Sequence, residues 1–138
     1  MLATKTSLTI AAAKAIADAC EKEAKSRGLR VVIAIVDDGG HLQLLHRDDG
    51  SQVGSVEIAT LKARTAVLFR RNTKAFQDVV EGEGRYALLC IPNCIPLDGG
   101  VLLKAGEEII GAIGVSGASD EDDGDIGRVG AAILASAK

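Results

Sequence analysis

The sequence predicts one α/β domain of the α+β kind over residues 1–138, with a mostly antiparallel central sheet and helices packed on it. Two observations carry that expectation. Residues 30–47 and 101–116 each read as strand, tight turn, strand. Helical periods precede, separate and follow these hairpins, without the strand–helix alternation that a parallel sheet needs. A chain of 138 residues suits a single domain and is long enough for a real core.

Thr9 is placed to cap a first helix over 10–27, where Ile10, Ala13, Ile16, Ala17, Cys20 and Ala24 form one apolar stripe. Gly28 supplies its left-handed stop. Arg30 to Val36 is a β-branched run, the pattern of a strand buried on both faces. Asp37-Asp38-Gly39-Gly40 turns the chain, and 41–47 returns as a strand. Alternation puts Leu42, Leu44 and His46 on one face, and His41, Gln43, Leu45 and Arg47 on the other.

A second helix is expected over 53–70, with Val56, Ala59, Ala63 and Val67 inward, and a third over 73–81, broken at Gly82-Glu83-Gly84. Residues 87–91 form a short apolar segment of open type, followed by an irregular stretch between Pro92 and Pro96. Val101–Lys104 and Glu108–Ser116 pair around Ala105-Gly106. The acidic run Asp120–Asp125 opens a last helix, with Ile126, Val129, Gly130, Ile133, Leu134 and Ala137 on one face.

Composition narrows the function. Hydrophobic residues make up 47% of the chain, but aromatics only 2%, namely Phe69, Phe76 and Tyr86, and the net charge is -3. Nucleic-acid binding draws on basic patches and stacking rings, so nucleic acid is not an expected partner. No apolar run reaches the roughly 20 residues that span a bilayer, and no membrane partner is expected. The amphipathic start is unlike a signal peptide, and three cysteines are an odd number, so reduced thiols and a cytoplasmic location are expected.

The chemical motifs mostly fail on inspection. Gly111, Gly114 and Gly117 are spaced by three, unlike a dinucleotide-binding turn, and read as sheet packing. The run from Asp120 lacks the Gly and Glu of a calcium loop. Ser116 lies outside a nucleophile elbow. His41, His46, Cys90 and Cys94 have no standard zinc spacing. What remains is the polar loop Arg47-Asp48-Asp49-Gly50-Ser51 and the helix after it, with Lys62 and Arg64. Arg47 offers a planar fork for a carboxylate or phosphate, Lys62 a point charge, and Asp49 a base or orienting acceptor. A solvated salt-bridge set would carry the same residues.

Five stretches resemble the GlcG/HbpS family in order and spacing: VVIAIVDDGG (31–40), RDDGS (47–51), SVEIATLKARTA (55–66), GGV (99–101) and IGAIGVSGA (110–118). Asp48 takes a place where the family often has Met, and Leu102 one where it often has Pro. The resemblance implies a profilin-like domain, with a sheet of about five strands, that assembles into homo-oligomers. It also implies a small-ligand pocket, since the family includes haem-binding proteins and a domain attached to some corrinoid adenosyltransferases; others are encoded with catabolic genes.

The expected function is therefore binding of a haem, another tetrapyrrole or a small carboxylated metabolite. Arg47 and Lys62 would hold carboxylates, with Asp48 and Asp49 beside them, and the backbone of Gly99 and Gly100 would approach the ligand closely. No cofactor is fixed by the residues. Haem is the one the resemblance raises, with His41, His46 and Cys94 as the candidate iron ligands. The alternative is a cofactor-free hydrolase, deaminase or isomerase acting on a carboxylated intermediate, with Arg47, Asp49 and Lys62 as its catalytic residues.

Overall fold

The computed structural model describes residues 1–136. Helix α1 (Ile10–Ser26) begins where the Thr9 hydroxyl accepts from the Ala12 N–H, and it buries Ala13, Ile16, Ala17, Cys20 and Ala24. Ile10, in the first turn, is exposed. Strands β1 (Val32–Asp37) and β2 (Leu42–Arg47) form the first hairpin. Helix α2 (Ser55–Phe69) ends on left-handed Arg70. Helix α3 (Thr73–Glu83) runs past Gly82 and stops at Gly84, whose φ is 67°. Strands β3 (Gly100–Ala105) and β4 (Glu108–Ser116) form the second hairpin. Helix α4 (Asp120–Ala131) is capped by the Ser119 hydroxyl, which accepts from the Asp122 N–H.

The sheet order is β2-β1-β4-β3, with all neighbours antiparallel. There are four strands among the described residues, one fewer than expected. The apolar segment of open type is a 3-10 helix, Tyr86–Cys90. Pro92, which lacks an N–H, and left-handed Asn93 follow it at once and give a strand no ladder to continue. The chain after α4 tightens into a second 3-10 turn, Ala132–Ser136. Ile126 and Gly130 are buried, but Val129 and Ile133 lie on an adjacent, exposed row. Ala137 lies outside the described residues.

Strand β1 is buried on both faces, as its β-branched run predicts. Ile33 and Ile35 join the core under α1 and α4, while Val32, Ala34 and Val36 pack under α2. Each fully buried Val or Ile side chain among these contributes about 1.5–3 kcal/mol. A bulge between Ile35 and Val36 overturns strict alternation in β2. Leu44 opposes Ile35 and packs on the α1 side. Gln43 reaches the same side and donates to the Leu8 carbonyl at 3.1 Å. Leu42 opposes Val36 and so faces the α2 side with Leu45 and Arg47.

At its middle, helix α2 lies against the sheet with almost nothing between the backbones. Gly100, Gly114 and Ala34 stand in one row across β3, β4 and β1. A Cβ on Gly114 would collide with the Ala59 carbonyl and the Ala63 N–H, and one on Gly100 with the Lys62 carbonyl and the Thr73 methyl. Beyond β3, the start of α3 closes the sheet edge with side chains. The Thr73 hydroxyl accepts from the Gly100 N–H at 2.8 Å, and the Asn72 amide oxygen accepts from the Leu102 N–H at 2.9 Å. Strand β2 forms the other edge.

Two glycine substitutions should part in sign. Gly114→Ala has no room for its methyl and should cost at least about 1–3 kcal/mol by overpacking. Gly82→Ala, in open space within α3, should gain about 0.5–1 kcal/mol from helix propensity. Urea unfolding of both variants checks this, and equal losses would contradict the close-packed row.

Candidate functional site

The Arg47 loop is ordered by its own backbone. Asp48 donates its N–H to the Val31 carbonyl, its carboxylate accepts from the Asp49 N–H, and its carbonyl accepts from the Ser51 hydroxyl. Gly50 sits at a φ of 78°, and Arg30 donates to the Asp49 carbonyl at 2.7 Å. The Asp48 and Asp49 side chains border a shallow cleft of about 350 Å³ with Lys25, Leu29 and Arg30. Arg47 opposes Val32 at the end of β2, is exposed, and has no ion-pair partner among the described residues.

Lys62 is not brought to this loop. It is 1% exposed, and its ammonium donates to the Val115 carbonyl at 2.9 Å and to the Asp123 carboxylate at 3.1 Å. Asp123 is equally buried, and its second oxygen accepts from the Ala118 N–H. Burial raises the Asp123 carboxyl above its ordinary range, against the pull of the Lys62 charge beside it. Gly99 and Gly100 do serve close approach, but to this lysine and its helix. A Cβ on Gly99 would stand 2.5 Å from the Val115 carbonyl and 2.9 Å from the Lys62 ammonium.

The three iron-ligand candidates are dispersed. His41 is exposed in the turn before β2. His46 opposes Ile33 on the α1 side, with Nε2 buried, unpaired, and 3.9 Å from Glu21. Cys94 is half-buried in the loop after the first 3-10 helix, and burial raises its thiol pKa. No group of three or more His, Cys, Asp or Glu fit to hold a metal exists among the described residues.

The acidic run Asp120–Asp125, expected to open the last helix, does more than that. Asp123 points into the core, and Arg128 bridges Asp125 to buried Asp98 at 2.9 and 3.3 Å. Gly124 leaves the space that the Asp98 carboxylate fills. The spacing of Asp123 with Ile126 and Gly130 puts it on the helix's buried stripe, a signal visible in the sequence. A further cleft of about 290 Å³ lies on the outer side of α2, where Arg64 and Asn93 meet Val56 and Leu61. Here Arg64, and not Lys62, is the open cation of the helix.

Residues 8–132 match the family model described as "Haem degrading protein HbpS-like". The chain is 42% identical over 113 residues to protein GlcG of Escherichia coli K12, covering 82% of this chain and 84% of that one. It superposes on a double mutant of Streptomyces reticuli HbpS with a TM-score of 0.87, at 34% identity, covering 96% of this chain and 90% of that one. It also superposes on a structure described as a PduOC:haem complex, with a TM-score of 0.83, at 28% identity, covering 92% of this chain and 94% of that one. Among the described residues no helix is long and apolar enough to cross a membrane.

Lys62→Met should cost about 3–5 kcal/mol, since it strands a buried carboxylate, and adding Asp123→Asn should recover most of that. The sign with pH follows from Asp123. A carboxyl whose folded pKa stands above its unfolded value favours the fold when protonated and loses that contribution as pH rises. The gap between Lys62→Met and the parent should therefore narrow from pH 7 toward pH 4. Denaturant curves across that range check it, and a widening gap would contradict the buried pair.

Proposed function

The chain belongs to the HbpS-like family, and from that premise we propose that it binds a haem or related tetrapyrrole on the α2 side of strand β2. One observation carries the placement. Leu42 and Leu45 are 51% and 38% exposed on a sheet face whose next strand, β1, is fully buried under α2. They form an apolar ledge with unpaired Arg47 at its end. Leu42 and Arg47 oppose Val36 and Val32, so the ledge runs four residue steps, about 13 Å, enough to lay a flat macrocycle along it. The Arg47 fork then receives a propionate, as guanidinium groups do with carboxylates.

The donor set fits the macrocycle better than the metal. His46 points to the opposite face of the sheet and is not on the ledge. The related PduOC structure, described as a haem complex, supports the ligand class. The self-association implied by the family resemblance belongs to the same proposal, with Tyr86, Leu89 and Ile91 as exposed apolar side chains available to it.

Titration with haem should give a saturating Soret band. Arg47→Ala should weaken binding about tenfold or more, the loss of one charge-assisted contact. His46→Ala should leave the band unchanged. No band at stoichiometric haem would overturn the ligand class, and an unaltered Arg47→Ala titration would overturn the ledge. Light scattering tests the self-association, which a monomeric mass would refute.

A further inference from the structure

We propose that the cleft on the outer side of α2 is a second site, one that takes a short monocarboxylic acid. It shares no residue with the β2 ledge and does not rest on the haem reading. Arg64 is the centre of the argument. Its Nε is buried with no hydrogen-bond partner, and no carboxylate pairs with the residue among those described. Other cations, Arg47 among them, also lack a carboxylate, but Arg64 is the one whose guanidinium has a buried N–H left without an acceptor among the described residues. A buried N–H without an acceptor is costly, and the acceptor that suits a guanidinium edge is a carboxylate taking two parallel bonds.

The rest of the lining sets the size and character of the ligand. A volume of about 290 Å³ admits a molecule of a few heavy atoms. Val56 and Leu61 offer it apolar contact. Asn93 holds a left-handed backbone with a φ of 60°, a conformation that Asn tolerates well. Its carbonyl is engaged by the Thr65 hydroxyl at 2.9 Å, and its side-chain amide has no partner among the described residues, so a donor is left for the ligand. Glu57 also lines the cleft, exposed and without a cation partner among the described residues. A second carboxylate on the ligand would meet that charge, so the cleft selects monocarboxylates over dicarboxylates by repulsion.

Butyrate, succinate and n-butanol are matched four-carbon probes for an amide-detected NMR titration of the whole chain. Butyrate should give saturable shifts concentrated on 56–64 and 91–95. Succinate should bind at least fivefold more weakly, and n-butanol should give no saturable shift. Arg64→Gln should lower butyrate affinity about tenfold or more. Asn93→Gly keeps the left-handed backbone while removing the amide, and should lower affinity several-fold. Glu57→Gln should bring succinate close to butyrate, and Arg47→Ala should leave butyrate binding unchanged. Shifts scattered over the surface, or butyrate affinity unmoved in both Arg64→Gln and Asn93→Gly, would overturn the proposal.

Discussion

Side by side across the sheet, Gly100, Gly114 and Ala34 carry at most a methyl group, and the backbone of α2 lies directly on them. At that row no layer of side chains lies between helix and sheet to absorb a misfit. It also fixes where the long side chain of Lys62 can go. The ammonium emerges beside the end of β4, roofed by Gly99, where water is excluded. Asp123 must then come inward from α4, and the fold acquires an ion pair that ties α2, β4 and α4 at one point. Removing two ions from water is expensive, so the pair is better understood as fixing position than as a source of net stability.

Much of the fold was legible because local signals agreed with the tertiary structure. The continuous β-branched run of β1 meant burial on both faces, and both faces are covered. The Thr9 hydroxyl caps α1 where expected, and the turn at Gly106 closes the second hairpin. The failures have two causes, the first being that period and propensity do not report register. The bulge in β2 turned Leu42 to the face opposite Leu44, and nothing in that strand's composition marks a bulge. Gly82 looked like a breaker, yet helix α3 continued to Gly84 because its exposed side tolerates a missing side chain.

The candidate site was legible in kind but not in membership. The sequence suggested a cationic helix and a polar loop, and both exist. Which cation faces outward depends on helix phase against the sheet. Lys62 stands on the row with Ala59 and Ala66, whereas Arg64 stands two residues on and faces the cleft. Asp123 was obscured by its acidic neighbours, although its spacing to Ile126 placed it inward. Gly99 and Gly100 are expected from the sequence to approach a ligand, and in the structure what lies against them is the protein's own helix.

The two edges of the sheet are not equivalent. At β3 the Asn72 and Thr73 side chains already hold the Gly100 and Leu102 N–H groups that another strand would use. At β2 no element of the described chain does so. A sheet with one sealed edge can accept a neighbour once and then has no free side from which to continue. Runaway polymerisation through the backbone is thereby opposed by two side chains at the start of a helix, however sticky the opposite border becomes.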